Sequence, residues 1–141
     1  MNPDGSQQRQ VTKLASEANG VAVAANGERL VFLSNVFPDC GADDACNARE
    51  IANEEKSKVK ARLYTSLLFR HWNEWRGQRR QHLLSAKVDG SDVKDLTPGQ
   101  FEVPPFSLGG PDDYTISPDS SEVAFAMNVD ADAASSTNSD I

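Results

Sequence analysis

The segment Val21-Ala-Val-Ala-Ala-Asn-Gly-Glu-Arg-Leu-Val-Phe-Leu-Ser34 carries the strongest structural signal in the chain. Two β-leaning runs flank Asn26-Gly27, the preferred pair for a type I′ hairpin turn because both residues tolerate positive φ. The run Leu30–Leu33 is apolar at every position. A strand that loses the two-residue alternation has apolar neighbours on both faces. The expected unit is a hairpin whose second strand is covered above and below.

The pattern returns downstream. Ile116-Ser-Pro-Asp-Ser-Ser-Glu-Val-Ala-Phe-Ala-Met-Asn128 aligns with Val23–Asn35 and places Phe125 over Phe32 at a spacing of 93. Here Pro118 pre-sets φ for a type I turn, and Asp119 follows it. Val11-Thr12 likewise sits over Leu96-Thr97 at a spacing of 85. Another hairpin lies between the copies: His82–Val88 and Val93–Thr97 flank Asp89-Gly90-Ser91. Pro104, Pro105, Gly109, Gly110 and Pro111 make the next stretch a loop.

Repeated four-stranded units mark a β-propeller, whose blades run about 40–45 residues. The spacing of 93 then reads as one blade enlarged by an insertion at about residues 36–80. The expected fold is mainly β: a partial β-propeller over residues 11–141, one full blade plus parts of two neighbours, with a helical insertion. Residues 1–10 are polar and read as a disordered leader. Residues 11–14 would end one blade, 21–25, 29–34, 82–87 and 92–97 would form the next, and 113–117 and 122–127 would begin a third. Propellers close with four to eight blades. This chain is therefore expected to be a fragment of a longer protein, or to assemble with further copies.

Within the insertion, Asn47 and Glu50 have capping-box spacing. Ile51, Val59, Leu63 and Leu67 lie on an i+4 lattice, and Glu54 and Lys58 form a favourable i,i+4 pair. These features predict a helix over about residues 47–62. From Leu67 to Trp75 the lattice is lost, and extended or irregular chain is expected.

The chain has 141 residues, 38% of them hydrophobic and 25% charged, with a net charge of −7. The charge is −3 over residues 1–44, +6 over 45–87 and −10 over 88–141. The basic middle is either a binding patch or a solvated helix face. The acidic balance argues against nucleic acid as a partner, including at Arg76, Arg79 and Arg80 beside Trp72 and Trp75. No apolar run approaches the length of a membrane span, and Met1–Gln10 has no apolar signal core, so no membrane partner is expected.

Cys40 and Cys46 are close enough in sequence to be bridged, which would constrain the unfolded chain by ~2.4 kcal/mol on the loop-entropy model. A bridge would imply an oxidising compartment, periplasmic or secreted. Two free thiols or half of a metal site are the alternatives, although the spacing matches no common zinc motif.

Ser117-Pro-Asp-Ser-Ser-Glu-Val-Ala-Phe-Ala resembles the propeller repeat of TolB and of the prolyl oligopeptidase family of serine peptidases. The usual form is Ser-Pro-Asp-Gly-Lys followed by a short apolar strand. Val36-Phe-Pro-Asp-Cys40, Leu68-Phe-Arg-His-Trp72 with Trp75, Asp95-Leu-Thr-Pro-Gly99, Val103-Pro-Pro-Phe106 and Ser136-Thr-Asn-Ser-Asp140 resemble acylaminoacyl-peptidase and dipeptidyl-peptidase-like members. The chain departs from the repeat at Ser120, where glycine is usual, and at Ala24-Ala25, where Ser-Pro is usual.

The resemblance implies a propeller that caps a C-terminal α/β-hydrolase domain with a Ser–Asp–His triad and restricts which peptides reach it. The partners it implies are the missing blades, that hydrolase domain and peptide substrates. The alternative is a non-enzymatic TolB-like module that binds a protein partner. No Gly-x-Ser-x-Gly elbow is present. Neither His71 nor His82 follows a nucleophile, so the chain alone is expected to be no enzyme, with no catalytic residue. Arg70, His71 and Trp72 are expected as a substrate-chamber or domain-contact cluster, with aromatic packing of a structural histidine as the alternative. His82 is expected to be solvated or stacked. Asp39, Asp43, Asp44, Asp130 and Asp132 fit no calcium loop and read as loop acids. No cofactor or metal is expected.

Overall fold

The computed structural model describes residues 4–65, 67–71, 73–105 and 113–141. Trp72, and the stretch Phe106–Asp112 with its expected loop glycines, lie outside the described residues. Strand β1 (Asn19–Val23) pairs antiparallel with β2 (Arg29–Val36). Helix α1 (Asp44–Lys56) follows, then the two-residue strands β3 (Arg70–His71) and β4 (Glu74–Trp75). Strand β5 (Arg80–Lys87) returns to pair antiparallel with β2 along eight registered positions, from Arg29↔Lys87 to Val36↔Arg80. Strand β6 (Lys94–Asp95) adds the last edge, giving a four-stranded sheet in the order β1-β2-β5-β6. Strands β7 (Tyr114–Ile116) and β8 (Val123–Phe125) form a separate hairpin. The described chain is thus mainly β, with antiparallel sheets and a single α-helix.

The apolar run in β2 works as its lost alternation requires. Val31 and Leu33 face one side and pack with Leu83, Val103 and Tyr114, against which Ile116, Val123 and Phe125 of the second hairpin lie. Phe32 and Val36 face the other side and pack with Leu84 and Ala86, over which Leu14, Leu30 and Val93 sit. Phe32, Leu83 and Val36 are wholly removed from solvent. The second face is covered unevenly, because Val21 and Val23 on β1 remain 58% and 60% exposed.

The β1–β2 turn is not the expected type I′. Of Asn26 and Gly27, only Gly27 has positive φ, at 71°. The loop is longer than two residues: Gly27 N donates to Ala24 O at 2.8 Å and Ala24 N to Arg29 O at 2.9 Å. The β7–β8 turn repeats this, with Ser120 N on Ser117 O at 2.8 Å and Ser117 N on Glu122 O at 2.9 Å. Ser120 takes the place of Gly27 and has φ of 64°. Asn26 Oδ1 accepts from Glu28 N, and Asp119 Oδ1 accepts from Ser121 N. The strand registers correspond too, Val23↔Leu30 in one hairpin and Ile116↔Val123 in the other. The two turns touch, since Asn26 N donates to Ser120 Oγ at 3.2 Å.

Three other expectations are revised. The helix starts at Asp44, not Asn47, and ends at Lys56. Its N-cap is Asp43, whose Oδ1 accepts from Cys46 N at 3.0 Å. Beyond Lys56 the lattice residues Val59, Leu63 and Leu67 find no core and are 64–91% exposed; without an apolar surface to pack on, spacing alone does not sustain a helix. Residues 11–14 are not assigned as a strand. They still run close to the β5–β6 turn, where a Cβ added to Gly90 (φ 91°) would overlap the Val11 carbonyl oxygen.

Three outcomes follow from these turns. Ser120→Gly removes the strain of a left-handed L-residue, about 1–2 kcal/mol, partly offset by loss of the Asn26 contact. Denaturant unfolding should show a net gain of about 1 kcal/mol, whereas Gly90→Ala should lower stability by about 3 kcal/mol. Asp119 accepts from the Ser117 and Ser121 hydroxyls and the Ser121 amide, which hold its carboxyl down to about 2. The turn's contribution is complete above the ordinary aspartate range and is lost as pH falls through about 2, so the Asp119 carboxyl carbon shift should titrate with that midpoint.

Candidate functional site

Three groupings of reactive or charged side chains stand out. The first surrounds His82 on β5. The apolar neighbours Leu83 and Leu84 draw this strand into the core, and His82 goes with them, with no exposed surface. Its Nδ1 lies 2.7 Å from Asp95 Oδ2 on β6, and its Nε2 lies 3.0 Å from the Gly99 carbonyl. Nε2 donates to the Gly99 carbonyl and Nδ1 is taken by the Asp95 carboxyl, so both ring nitrogens are engaged. The other carboxylate oxygen of Asp95 accepts from Thr97 N at 3.0 Å, and Thr97 Oγ1 accepts from Leu83 N at 3.0 Å. The pair looks like two-thirds of a triad but has no nitrogen left to take a proton from a nucleophile. It is a structural fastener, and the expectation of a solvated or stacked His82 is corrected. Gly41 lets the preceding loop settle onto it, since a Cβ there would lie 3.0 Å from Asp95 Oδ2.

The second grouping is that loop and the start of α1. Cys40 and Cys46, with Cα atoms 5.5 Å apart, are joined by a disulfide. Asn47 is fully buried inside the loop. Its Oδ1 accepts from Phe37 N at 2.9 Å, and its Nδ2 donates to Gly41 O at 2.9 Å and Asp43 O at 3.0 Å. The side chain read from sequence as a helix cap thus satisfies three backbone groups of the loop. Asp44 Oδ1 accepts from Ala15 N at 2.7 Å and ties the helix start to the N-terminal segment.

The third grouping is the β3–β4 hairpin. Arg70 pairs with Trp75 and His71 with Glu74, and Arg76 N donates to Phe69 O at 3.1 Å. Arg70 and His71 are exposed. They are neighbours on the first strand of the short hairpin that the structure forms here, and strand neighbours alternate between faces. The structure gathers residues that spacing did not reveal. Phe69 lies 6.0 Å from Tyr64 and 6.2 Å from Trp75, ring to ring, and Tyr64 lies 6.3 Å from Trp75. The Arg62 guanidinium sits 5.8 Å from the Trp75 ring centroid. Below the hairpin, Glu102 accepts from Arg76 Nη2 at 3.0 Å and from Gln81 N at 2.8 Å. Burial and the Arg76 charge push the Arg80 guanidinium below its ordinary value, and Glu102 opposes them.

A cleft of about 360 Å³ opens between the β1–β2 and β5–β6 turns, lined by Gly27, Glu28, Arg29, Lys87, Val88 and Asp89. Arg29 is held there by Asp92 Oδ2 at 2.8 Å. Among the described residues no three His, Cys, Asp or Glu side chains form a group that could hold a metal ion. His82→Leu leaves the Asp95 Oδ2 without its ring partner, and thermal or urea unfolding should show a loss of about 3 kcal/mol. The double variant with Asp95→Leu should recover about 1 kcal/mol or more of it.

No protein-family model matches the chain. No solved structure matches it either. Two curated proteins are similar to it along its whole length. It is 30% identical over 145 residues to dipeptidyl-peptidase 5 of Porphyromonas endodontalis, an alignment covering 99% of this chain and 20% of that protein. It is 26% identical over 185 residues to dipeptidyl-peptidase 5 of Porphyromonas gingivalis, covering 100% of this chain and 27% of that protein. The chain is therefore similar to one segment of dipeptidyl-peptidase 5 proteins and spans 20–27% of their length.

Proposed function

We propose that this chain is a segment of the N-terminal β-propeller of a dipeptidyl-peptidase-like serine peptidase of the prolyl oligopeptidase family. In the parent it gates peptide access to a hydrolase domain outside this chain. The observation that carries this reading is the similarity of the entire chain to a fifth to a quarter of two dipeptidyl-peptidase 5 proteins.

The fold supports it in two ways. The antiparallel order β1-β2-β5-β6 is that of a four-stranded blade, with the excursion from residue 37 to 79 as its insertion. The β7–β8 hairpin repeats the β1–β2 hairpin in turn and register, and the two turns abut, as neighbouring blades related by rotation would place them. On this reading residues 11–141 belong to the propeller and 1–10 lead into it. The exposed Val21 and Val23 face a blade not contained here. Arg70, His71 and Trp72 meet the chamber or the hydrolase domain of the parent.

The chemistry of such a peptidase would then come from a triad elsewhere in the parent. Here His82 is committed to Asp95 and Gly99, so this segment contributes shape rather than proton transfer. The purified chain should neither cleave dipeptidyl chromogenic substrates nor be labelled by a serine-directed fluorophosphonate. A protein containing the chain followed by its hydrolase domain should do both. Turnover by the isolated chain, or a parent without a labelled serine, contradicts the proposal.

A further inference from the structure

The excursion between β2 and β5 has a character unlike the rest of the molecule. From residue 56 to 73 it carries Lys56, Lys58, Lys60, Arg62 and Arg70 and no acidic residue. Over residues 56–80 it holds 8 basic and 1 acidic side chains, leaving 6 basic against 20 acidic in the remainder of the chain. The same stretch exposes Val59 at 71%, Leu63 at 91%, Leu67 at 64%, Phe69 at 46% and Trp75 at 53%. Phe69 and Trp75 close with Tyr64 into one ring cluster, and Arg62 lies over it. Arg62 thus borders an exposed aromatic cluster, within a basic stretch that also exposes aliphatic side chains. An interacting group must bring both apolar side chains and negative charge.

We infer that this basic, aromatic excursion is a docking surface for an acidic polypeptide segment that carries aliphatic or aromatic side chains. Three anionic partners share part of that chemistry, and the character of the surface separates them. Nucleic acid stacks on aromatic rings but offers nothing to Val59, Leu63 and Leu67. An anionic bilayer or a duplex is an extended negative surface, disfavoured by the net negative charge of the rest of the chain. A short peptide touches the excursion alone and escapes that repulsion. The inference stands on the exposed residues and their charge, independently of the peptidase reading, and its test measures binding without turnover.

The experiment is fluorescence anisotropy with the full chain and labelled synthetic peptides. One alternates Glu or Asp with Leu and Phe. In the second the acids become Lys, and in the third the apolar residues become Ser. The first should bind, and the other two should bind at least about tenfold more weakly. Raising salt from about 0.05 to about 0.5 M should weaken the first peptide severalfold. Arg62→Glu with Leu63→Ser should lower its affinity about tenfold. Both positions are at the surface, and circular dichroism checks that the sheet persists. If a variant unfolds, the peptide series and the salt series on the unaltered chain still decide. Absence of binding, equal binding of the lysine peptide, or tighter binding to phosphatidylglycerol vesicles or oligonucleotides overturns the inference. So does sedimentation showing that the excursion is already covered by a second copy of this chain.

Discussion

The eight-residue antiparallel pairing of β2 with β5 is the constraint from which the other features follow. These strands are separated by 43 intervening residues, yet they meet without a break in register. Their side chains alternate between two apolar clusters, so a one-residue slip would turn both clusters to the wrong faces at once. Phe32 and Leu84 lie on one side of this pair and Leu33 and Leu83 on the other. The His82–Asp95 fastener, the Asn47-centred loop and the Glu102 contacts all gather at the end of the sheet where the excursion leaves and returns. They close what the strand pairing has already brought near.

Much of this was legible in the residues. Leu30–Leu33 announced a doubly covered strand because burial on both sides abolishes alternation. The 93-residue repeat announced two similar hairpins, and the backbone hydrogen bonds of their turns and their strand registers correspond. What failed was local geometry that depends on partners far away. Asn26 keeps ordinary φ because the loop spends its single left-handed position on Gly27. Asn47 looked like a cap because spacing does not reveal that Phe37 and Gly41 would claim its amide. Val59, Leu63 and Leu67 kept helical spacing with no surface to receive them.

The candidate site was less legible than the fold, for a physical reason. Tyr64, Phe69 and Trp75 are brought together by irregular chain, which has no period from which their convergence could be read. His82 shows the opposite difficulty. A histidine beside a carboxylate suggests chemistry, but its apolar neighbours and a carbonyl on the second nitrogen make it structural. The basic middle allowed two readings from charge alone. The aliphatic and aromatic side chains exposed among those charges come into view only in the folded chain.

The excursion departs after Val36 and re-enters at Arg80, which are register partners. Its two ends are therefore neighbours whatever its length, and lengthening it twofold adds only about 0.6 kcal/mol of closure cost. The sheet behaves as a fixed socket into which differently sized plugs can be fitted. Homologous chains could thus trade recognition surfaces at this point without renegotiating their cores.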